Sequence, residues 1–148
     1  MRYFFLLLTL ISLKSFSQTE EDKVKAPILR FFEGMKKSDS TIIKSSLAPK
    51  AILQTISKNR EGNMFVHTED LQKFITGISQ PHPEVYDERI TFDVIRIDAD
   101  LAFAWTPYKF YVGEKFSHCG VNSFQLVRLN GEWKIQYIID TRRKDKCL

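Results

Sequence analysis

The sequence predicts an α+β fold in which helices from the first half of the chain pack on one face of a strongly bent antiparallel sheet. The main evidence is the stretch from residue 101 to 143, which contains three long alternating segments, LAFAWTPYKFYV, FSHCGVNSFQLVRL and EWKIQYIIDTRR. Asn130-Gly131 separates the last two and is a strong hairpin signal, because both turn residues must accept a positive φ. Each segment exceeds the usual five or six residues of a strand. Since long, bent strands enclose space, we expect the sheet to wall a cavity.

The first residues are typical of a secretory signal peptide. Arg2 precedes an apolar run from Tyr3 to Leu13, and small residues follow at Ser15 and Ser17. The run is about 11 residues long, too short to span roughly 30 Å of hydrocarbon. It is apolar on every helical face, which disfavours the alternative of a first core helix in a cytosolic protein. We therefore expect a signal peptide over residues 1–17 and an exported protein, periplasmic or secreted.

Cleavage before Gln18 leaves residues 18–148, the size of one domain that is free of the membrane. Such a domain buries about two thirds of its unfolded surface, so it needs no metal or dense disulfides to fold. The sequence has no P-loop and no Gly-rich dinucleotide turn, so we expect no cofactor. Arg2 and Lys14 leave with the signal, so the formal net charge of +4 falls by two to +2. The remaining basic residues concentrate in the tail, residues 142–146. A terminal charge run is usually solvated, so we expect no nucleic-acid partner.

The two cysteines are Cys119, in the middle long strand, and Cys147, next to the C-terminus. An even count in an exported protein permits one disulfide. Such a bridge would stabilise the fold by about 3.6 kcal/mol in the chain-entropy model. The alternative is two unrelated thiols, because strand geometry can point Cys119 away from the tail.

The first helix is predicted over Glu20–Lys37 from one apolar stripe at helical spacing. Pro27 is tolerated best in a first turn, so the regular helix is expected to begin near Ala26. The residues of the stripe are Val24, Ile28, Phe31, Phe32 and Met35.

Shorter elements follow. Asp39 is placed to cap a second helix that ends at Leu47, and residues 51–57 and 62–67 alternate as two short strands. Thr68 is expected to cap a third helix, which Pro81-His82-Pro83 ends. Its apolar stripe is Leu71, Phe74, Ile75 and Ile78.

From Arg89 onward the pattern is strand throughout. Ile90, Phe92 and Val94 share one parity, whereas Ile95 and Ile97 share the other. The switch predicts a bulge, or a strand buried on both faces.

This element order, with the segments AWTPYKFYVGEKFSHCGVNSFQLVR and WKIQYIIDTRR, resembles the nuclear transport factor 2-like superfamily, which includes ketosteroid isomerases, scytalone dehydratases and polyketide cyclase-like proteins. The resemblance covers residues 20–143. It implies a cone-shaped half-barrel with about three N-terminal helices on the concave sheet face and an open end that admits a small ligand. It also implies a homodimer through the outer sheet face. Proteins with this fold have many unrelated activities, so the resemblance does not by itself assign a function.

The middle strand carries the main candidate site. His118, Gly120, Asn122 and Phe124 share one face, with Cys119 on the other. A mixed face of imidazole, amide and aromatic ring suits a pocket, and an imidazole with a pKa near 6.5 suits acid–base chemistry. The alternative is a structural His118 hydrogen-bonded within the sheet. The three histidines have no metal-ligand spacing, so we expect no metal.

Further candidates lie on the neighbouring strands. Trp105 and Tyr108 are expected either to line the cavity or to lie in the hydrophobic core. Pro107 lies between them, so the alternation of side chains along the strand does not reliably assign their faces. Asp140 sits late in an apolar run and needs a partner if buried, such as Arg142, Arg143 or His118. Tyr108, His118 and Asp140 would then loosely resemble the Tyr, His and Asp groups of dehydratases in this superfamily. The alternative is that Asp140 lies at a strand end and forms an exposed ion pair.

The isomerase pattern transfers poorly. Those enzymes carry a Tyr on the first helix, whereas this chain presents Phe31 and Phe32 there. The leading hypothesis is therefore an exported domain that binds a small, partly apolar molecule through Phe31, Phe32, Trp105, Tyr108, His118 and Asn122, or that serves as an interaction module. The rival is a dehydratase or isomerase with His118 as general base assisted by Asp140 and Tyr108. A third possibility is a cavity filled by the chain's own 12 Phe side chains.

Overall fold

The computed structural model describes residues 18–147. The signal peptide expected over residues 1–17 lies outside them. Three helices precede most of a seven-stranded sheet. In chain order the elements are α1 (Glu20–Lys36), α2 (Ser40–Ser46), β1 (Leu47–Lys58), β2 (Met64–Glu69), α3 (Leu71–Ile78), β3 (Tyr86–Ile90), β4 (Val94–Asp98), β5 (Leu101–Val112), β6 (Lys115–Leu129) and β7 (Glu132–Arg143).

Helix α1 begins earlier than its proline suggests. The Thr19 side chain caps it by accepting from the Asp22 N–H, and three acidic residues occupy its first turn. A capping hydroxyl and carboxylates near the N-terminus both stabilise a helix start. The expected start near Ala26 is therefore wrong, and Pro27 lies inside the helix.

The cap of α3 also differs from the expectation. Asp70 accepts from the backbone N–H groups of Gln72 and Lys73, so it is the N-cap. Thr68 belongs to β2, where its hydroxyl accepts from the Gln54 side chain across the β1–β2 hairpin at 2.9 Å. The strand pairing of Thr68 thus overrides its capping propensity. Asp39 caps α2 as expected.

The sheet is mixed and largely antiparallel, with strand order β2-β1-β7-β6-β5-β3 and with β4 also paired to β5. Every pairing is antiparallel except that of β1 with β7, which is parallel. The predicted α+β class and bent sheet are confirmed, whereas the expectation of a purely antiparallel sheet is wrong at this one pair. The chain returns to lie beside its first strand, and no local sequence pattern encodes that long-range pairing.

The parity switch between Ile90 and Ile95 marks a break in the edge of the sheet. β3 ends at Ile90 and β4 begins at Val94, and both pair with the single strand β5. Pro107 lies opposite the gap, where its carbonyl accepts from the Thr91 N–H at 3.0 Å. A proline in β5 is tolerated there because its missing N–H would face the gap instead of a paired strand.

The helices cover the concave face of the sheet, and aromatic rings fill much of the space between. The Phe31 ring stacks on Phe74 at 5.9 Å, and the Phe32 ring meets Phe124 of β6 edge-on at 6.0 Å between centroids. The whole stripe predicted for α1 is buried. Among residues 18–147, no helix is long and apolar enough to cross a bilayer.

Cys119 of β6 and Cys147 are joined by a disulfide. The bridge is the pairing that the sequence permitted. It ties the basic tail to the middle of the sheet.

We expect Phe31→Ala and Phe32→Ala each to lower the free energy of unfolding by about 3 to 5 kcal/mol, because each removes a buried ring and leaves a cavity. Urea denaturation measures the loss. Leu29→Ala, on the exposed face of the same helix, is the matched control and should cost less than about 1 kcal/mol. Losses below that value at both Phe positions would show that the stripe is not core.

Candidate functional site

A cavity of about 100 Å³ lies between α1, α3 and the concave face of the sheet. One part of its wall is apolar and largely aromatic, and the other part is polar. The apolar residues are Phe31, Phe32, Met35, Leu53, Phe74, Phe124 and Ile138. The polar residues are Gln54, Thr55, Glu69, Glu88, Asn122, Asp140 and Arg142.

Strand register assembles the polar wall. Asp140 of β7 is paired with Thr55 of β1 on one side and with Asn122 of β6 on the other. Residues in register on adjacent strands point to the same face. Three side chains that are far apart in sequence therefore form one row across the concave face.

Asp140 is the centre of a hydrogen-bond cluster. It is only 8% exposed, and its carboxylate accepts from Thr55 Oγ1 at 2.5 Å, Tyr108 OH at 3.1 Å and Arg142 Nε at 2.9 Å. Arg142 Nη2 also donates to Thr55 Oγ1 at 3.0 Å. An ionised carboxylate is stable in such a place only when it is paired and fully hydrogen-bonded. Arg142 is thus one of the partners that the sequence indicated for a buried Asp140.

Tyr108 reaches Asp140 because a glycine lies next to it. Tyr108 is paired with Gly120 of β6, and a Cβ at Gly120 would come within 2.7 Å of the tyrosine ring. The same Cβ would collide with the Thr141 carbonyl oxygen, which accepts from the Tyr108 OH at 2.9 Å. Burial and the Asp140 carboxylate raise the pKa of Tyr108, so this phenol acts as a neutral donor.

Glu88 is the second acid of the polar wall. Its Oε1 accepts from Asn122 Nδ2 at 2.8 Å. Burial raises the pKa of Glu88 to about 7, and the nearby Asp140 charge adds to the rise, while the Asn122 hydrogen bond and Arg142 oppose it. Near neutral pH this carboxyl is therefore protonated in a large fraction of molecules. The cavity holds one carboxylate fixed by ion pairing and one carboxyl that can donate or accept a proton.

His118 is placed differently from the expectation. Its Nδ1 lies 3.1 Å from Ser117 Oγ, and its ring packs against Phe110 and edge-on against Tyr108. It is not among the residues that line the cavity, and within residues 18–147 it makes no hydrogen bond to Asp140. Burial, followed by the Arg142 charge, lowers the pKa of His118. Of the proposed Tyr108–His118–Asp140 set, only Tyr108 and Asp140 are hydrogen-bonded.

The other predicted ligand-binding residues divide between the two faces of the sheet. Phe31, Phe32 and Asn122 line the cavity. Trp105 lies on the outer face and is 39% exposed, because it has the opposite parity to Tyr108, which is buried in the concave face. β5 has no bulge at Pro107, so its side chains continue to alternate between the two faces through the proline. The alternation alone therefore places Trp105 and Tyr108 on opposite faces.

Sequence reasoning missed Glu88 as a site residue. Glu88 lies two residues before the apolar Ile90, and this spacing places both side chains on the same face of β3. That spacing was the feature of the sequence that could have identified Glu88. In the sequence the segment YDERI reads as an exposed, charged strand. Only the pairing of β3 with β5 shows that the inward position faces a cavity.

The chain matches a family model described as "Putative lumazine-binding" over residues 19–137. The chain belongs to this family. The match spans α1 to the middle of β7 and so includes Glu88 and Asn122, whereas Asp140 and Arg142 lie just beyond it. No curated protein matches the sequence.

Solved structures show the nuclear transport factor 2-like fold for this family member. A nuclear transport factor 2-like protein of unknown function from Shewanella baltica is 16% identical, with a TM-score of 0.63, covering 85% of this chain and 95% of that one. A conserved protein from Planctomyces limnophilus is 17% identical, with a TM-score of 0.67 and coverages of 84% and 96%. A function-unknown protein from Mycobacterium tuberculosis is 13% identical, with a TM-score of 0.64 and coverages of 84% and 72%. At these identities the likeness concerns the fold.

Within the described residues no group of His, Cys, Asp and Glu side chains is arranged to hold a metal ion. The polar wall is built from amide, hydroxyl, carboxyl and guanidinium groups. Each of these groups can donate or accept hydrogen bonds.

The raised pKa of Glu88 predicts a specific pH dependence of stability. The folded protein holds this proton more tightly than the unfolded chain, whose Glu titrates near 4.5, so stability falls as the pH rises from about 4.5 through 7. Glu88→Gln removes the titration and should gain up to about 3 kcal/mol relative to the native protein across that range. Urea denaturation at pH 4.5, 6, 7 and 8 measures the difference.

The control for this experiment is Glu61→Gln, at an exposed turn between β1 and β2. It should track the native protein at every pH. A Glu88→Gln profile parallel to the native profile would show that Glu88 titrates as an ordinary surface acid.

Proposed function

We propose that the protein binds a small, planar, partly apolar molecule in the cavity, with the polar edge of the ligand against Glu88 and Asn122. The observation that carries the proposal is the Glu88–Asn122 pair, which lies in the polar wall opposite the phenylalanine rings. Ligand sites usually combine an apolar lining with a few convergent polar groups. Aromatic rings such as Phe31 and Phe74 stack favourably on a flat heterocycle.

The chemistry of the pair favours a ligand edge with alternating donors and acceptors. A protonated Glu88 offers an O–H donor and a carbonyl acceptor, and Asn122 retains one N–H and its carbonyl. A cyclic imide or amide presents the complementary pattern. Lumazine, the pteridinedione in the family's description, has such edges on a planar ring, which makes it the first ligand to test.

We expect native protein to bind lumazine saturably below about 1 mM, followed by tryptophan fluorescence or calorimetry. Glu88→Leu should weaken binding at least about tenfold, because it removes both hydrogen-bonding functions and leaves Asn122 unpaired. Glu61→Leu, at the exposed turn, should bind like native protein. No saturable binding by native protein, or equal affinity of the Glu88→Leu variant, would rule out this assignment.

A proton-transfer activity of dehydratase or isomerase type is the second candidate function. The observation in its favour is the Glu88 carboxyl, whose pKa is raised to about 7, near the Asp140–Arg142 ion pair. Since His118 lies outside the cavity lining, Glu88 replaces it as the candidate base. Deuterium incorporation into a bound ligand in D₂O would support the activity, and ligand that stays unlabelled on native protein would count against it.

We also propose that the mature protein begins at Gln18 and works outside the cytoplasm. The charged start, short apolar run and small residues before Gln18 support this, and the Cys119–Cys147 disulfide fits an oxidising compartment. Intact mass of the exported protein decides it. A mature mass that still contains residues 1–17 would be inconsistent with the proposal.

A homodimer through the outer sheet face is the last part of the proposal. On that face of β5, Leu101 is 53% and Trp105 is 39% exposed, and the Phe103 ring lies 6.3 Å from that of Trp105. A contiguous exposed apolar patch of this kind is typical of an interface. Sedimentation equilibrium of the purified domain tests it, and a monomer at high micromolar concentration would contradict it.

A further inference from the structure

Strand β2 is an edge of the sheet, and apolar side chains are exposed on both of its faces. Within residues 18–147 it pairs with β1 alone. Met64 is 59%, Phe65 is 45% and Val66 is 51% exposed. Because side chains alternate along a strand, Phe65 lies on the concave face, and its two neighbours lie on the outer face. Proline and lysine are the residues that usually protect such an edge from further pairing, and β2 contains neither.

The backbone of β2 leaves every second residue unpaired at this edge. The Asn59 N–H donates to the Asn63 carbonyl at 2.9 Å, and the register of the β1–β2 hairpin continues from there without a shift. In an antiparallel ladder, hydrogen-bonded pairs alternate with pairs whose backbone groups point away from each other. The odd-numbered residues of β2 are therefore bonded to β1. The residues whose N–H and C=O groups point to the free edge are Met64, Val66 and Thr68.

The two ends of β2 carry opposite charge. At the turn that leads into the strand, Lys58 and Arg60 outnumber Glu61, whereas Glu69 and Asp70 lie together at its other end. Within residues 18–147 neither Lys58 nor Arg60 forms a salt bridge, and Asp70 forms none either. A second copy of β2 that runs antiparallel to the first brings the basic turn of each copy beside the acidic end of the other. This charge complementarity favours a second copy of the chain as the partner of the edge.

We propose that β2 pairs with β2 of a second copy across a two-fold axis at Val66. The two Val66 residues then form one hydrogen-bonded pair, and Met64 of each copy forms another with Thr68 of the other copy. On the concave face, Phe65 of each copy lies opposite His67 of the other, in a pair whose side chains are close enough to pack. The contact is isologous, so it closes with two copies and leaves no free β2 edge.

The pairing extends the concave face from one copy into the other. His67 is in register with Thr55, which lines the cavity together with Glu69 of β2. The second copy therefore places its Phe65 beside His67, at the β2 side of the cavity wall. This contact uses the backbone edge of β2, whereas the homodimer proposed above uses the outer sheet face, and it does not depend on any ligand. Together the two contacts would give a tetramer.

Hydrogen–deuterium exchange with residue resolution tests the pairing, with purified protein at about 10 μM and about 1 mM. The Val66 and Thr68 amides point to the free edge, so they should exchange at least about tenfold more slowly at the higher concentration. The Phe65 and His67 amides are bonded to β1 and should be protected at both concentrations. Equal exchange of the Val66 and Thr68 amides at the two concentrations would overturn the proposal.

Two variants block the edge without breaking the hairpin. Val66→Pro removes an N–H that faces the free edge and not β1, and Val66→Lys places two like charges opposite each other at the axis. Each should keep the native circular dichroism spectrum and lose the concentration-dependent protection of Thr68. The matched control is Val85→Lys, at a valine that is 50% exposed before β3, and it should keep that protection. Protection that persists in both Val66 variants, or that Val85→Lys loses equally, would contradict pairing through β2.

Trp105→Lys separates the edge contact from the outer-face contact. Trp105 lies on the outer face, away from β2, so this variant should keep the slow exchange of Val66 and Thr68 at about 1 mM protein. If Trp105→Lys and Val66→Pro lose the protection alike, the protection of β2 follows from the outer-face dimer, and the edge pairing is wrong. If Trp105→Lys alone keeps it, the edge pairing stands whether or not the outer faces associate.

Discussion

The Asp140 carboxylate is the constraint on which the site depends. A charge that is 8% exposed costs several kcal/mol to bury unless its oxygens are satisfied. Its partners come from β1, β5 and β7, through Thr55, Tyr108 and Arg142. One side chain therefore couples three strands, including the parallel pair β1–β7.

The same charge organises the chemistry around it. Burial disfavours a negative charge on Glu88, and the nearby Asp140 carboxylate, which is paired with Arg142, disfavours it further. The pKa of Glu88 is thus raised to about 7 beside an ion pair, and functional sites use a carboxyl with a raised pKa as a proton donor. Tyr108 remains neutral for the same reasons. The cavity wall then presents neutral donors from Glu88 and Asn122 beside a fixed ion pair.

Local patterns were enough to predict the fold class and most elements. The 3.6-residue stripe of α1 and the alternation of β5, β6 and β7 are each properties of one segment, and the Asn-Gly turn joins its strands where expected. The errors arose where tertiary pairing overrides propensity. Thr68 has the side chain of a helix cap, but it lies in β2. The parallel pairing of β1 with β7 joins segments that are 80 or more residues apart. Thr55 and Asp140, for example, are 85 residues apart in sequence, and their side chains are hydrogen-bonded.

The site was predictable in part for the same reason. Asn122 and Phe32 follow from the parity of one strand and the stripe of one helix. Glu88 does not, because its importance comes from the neighbours that desolvate it, and they belong to other elements. For His118 the sequence left a catalytic and a structural role open, and its ring packs against Phe110 and Tyr108. Chemical type identifies candidates, and only register decides which of them face the same space.

If the polar wall has only a structural role, it lowers the stability of the folded protein relative to an apolar wall. Apolar residues of similar volume at Glu88 and Asn122 would pack against the phenylalanine rings without any desolvation penalty, and such replacements of buried polar groups are often neutral or stabilising. The glycine at position 120 adds to the cost, since it leaves space for the Tyr108 ring where another residue would collide with the Thr141 backbone. A chain that keeps a titrating carboxyl, an amide and an ion pair in one small cavity gives up stability there. Deviations of this kind from the most stable packing are expected at functional sites, which favours a ligand-recognition role for this wall over a role as core.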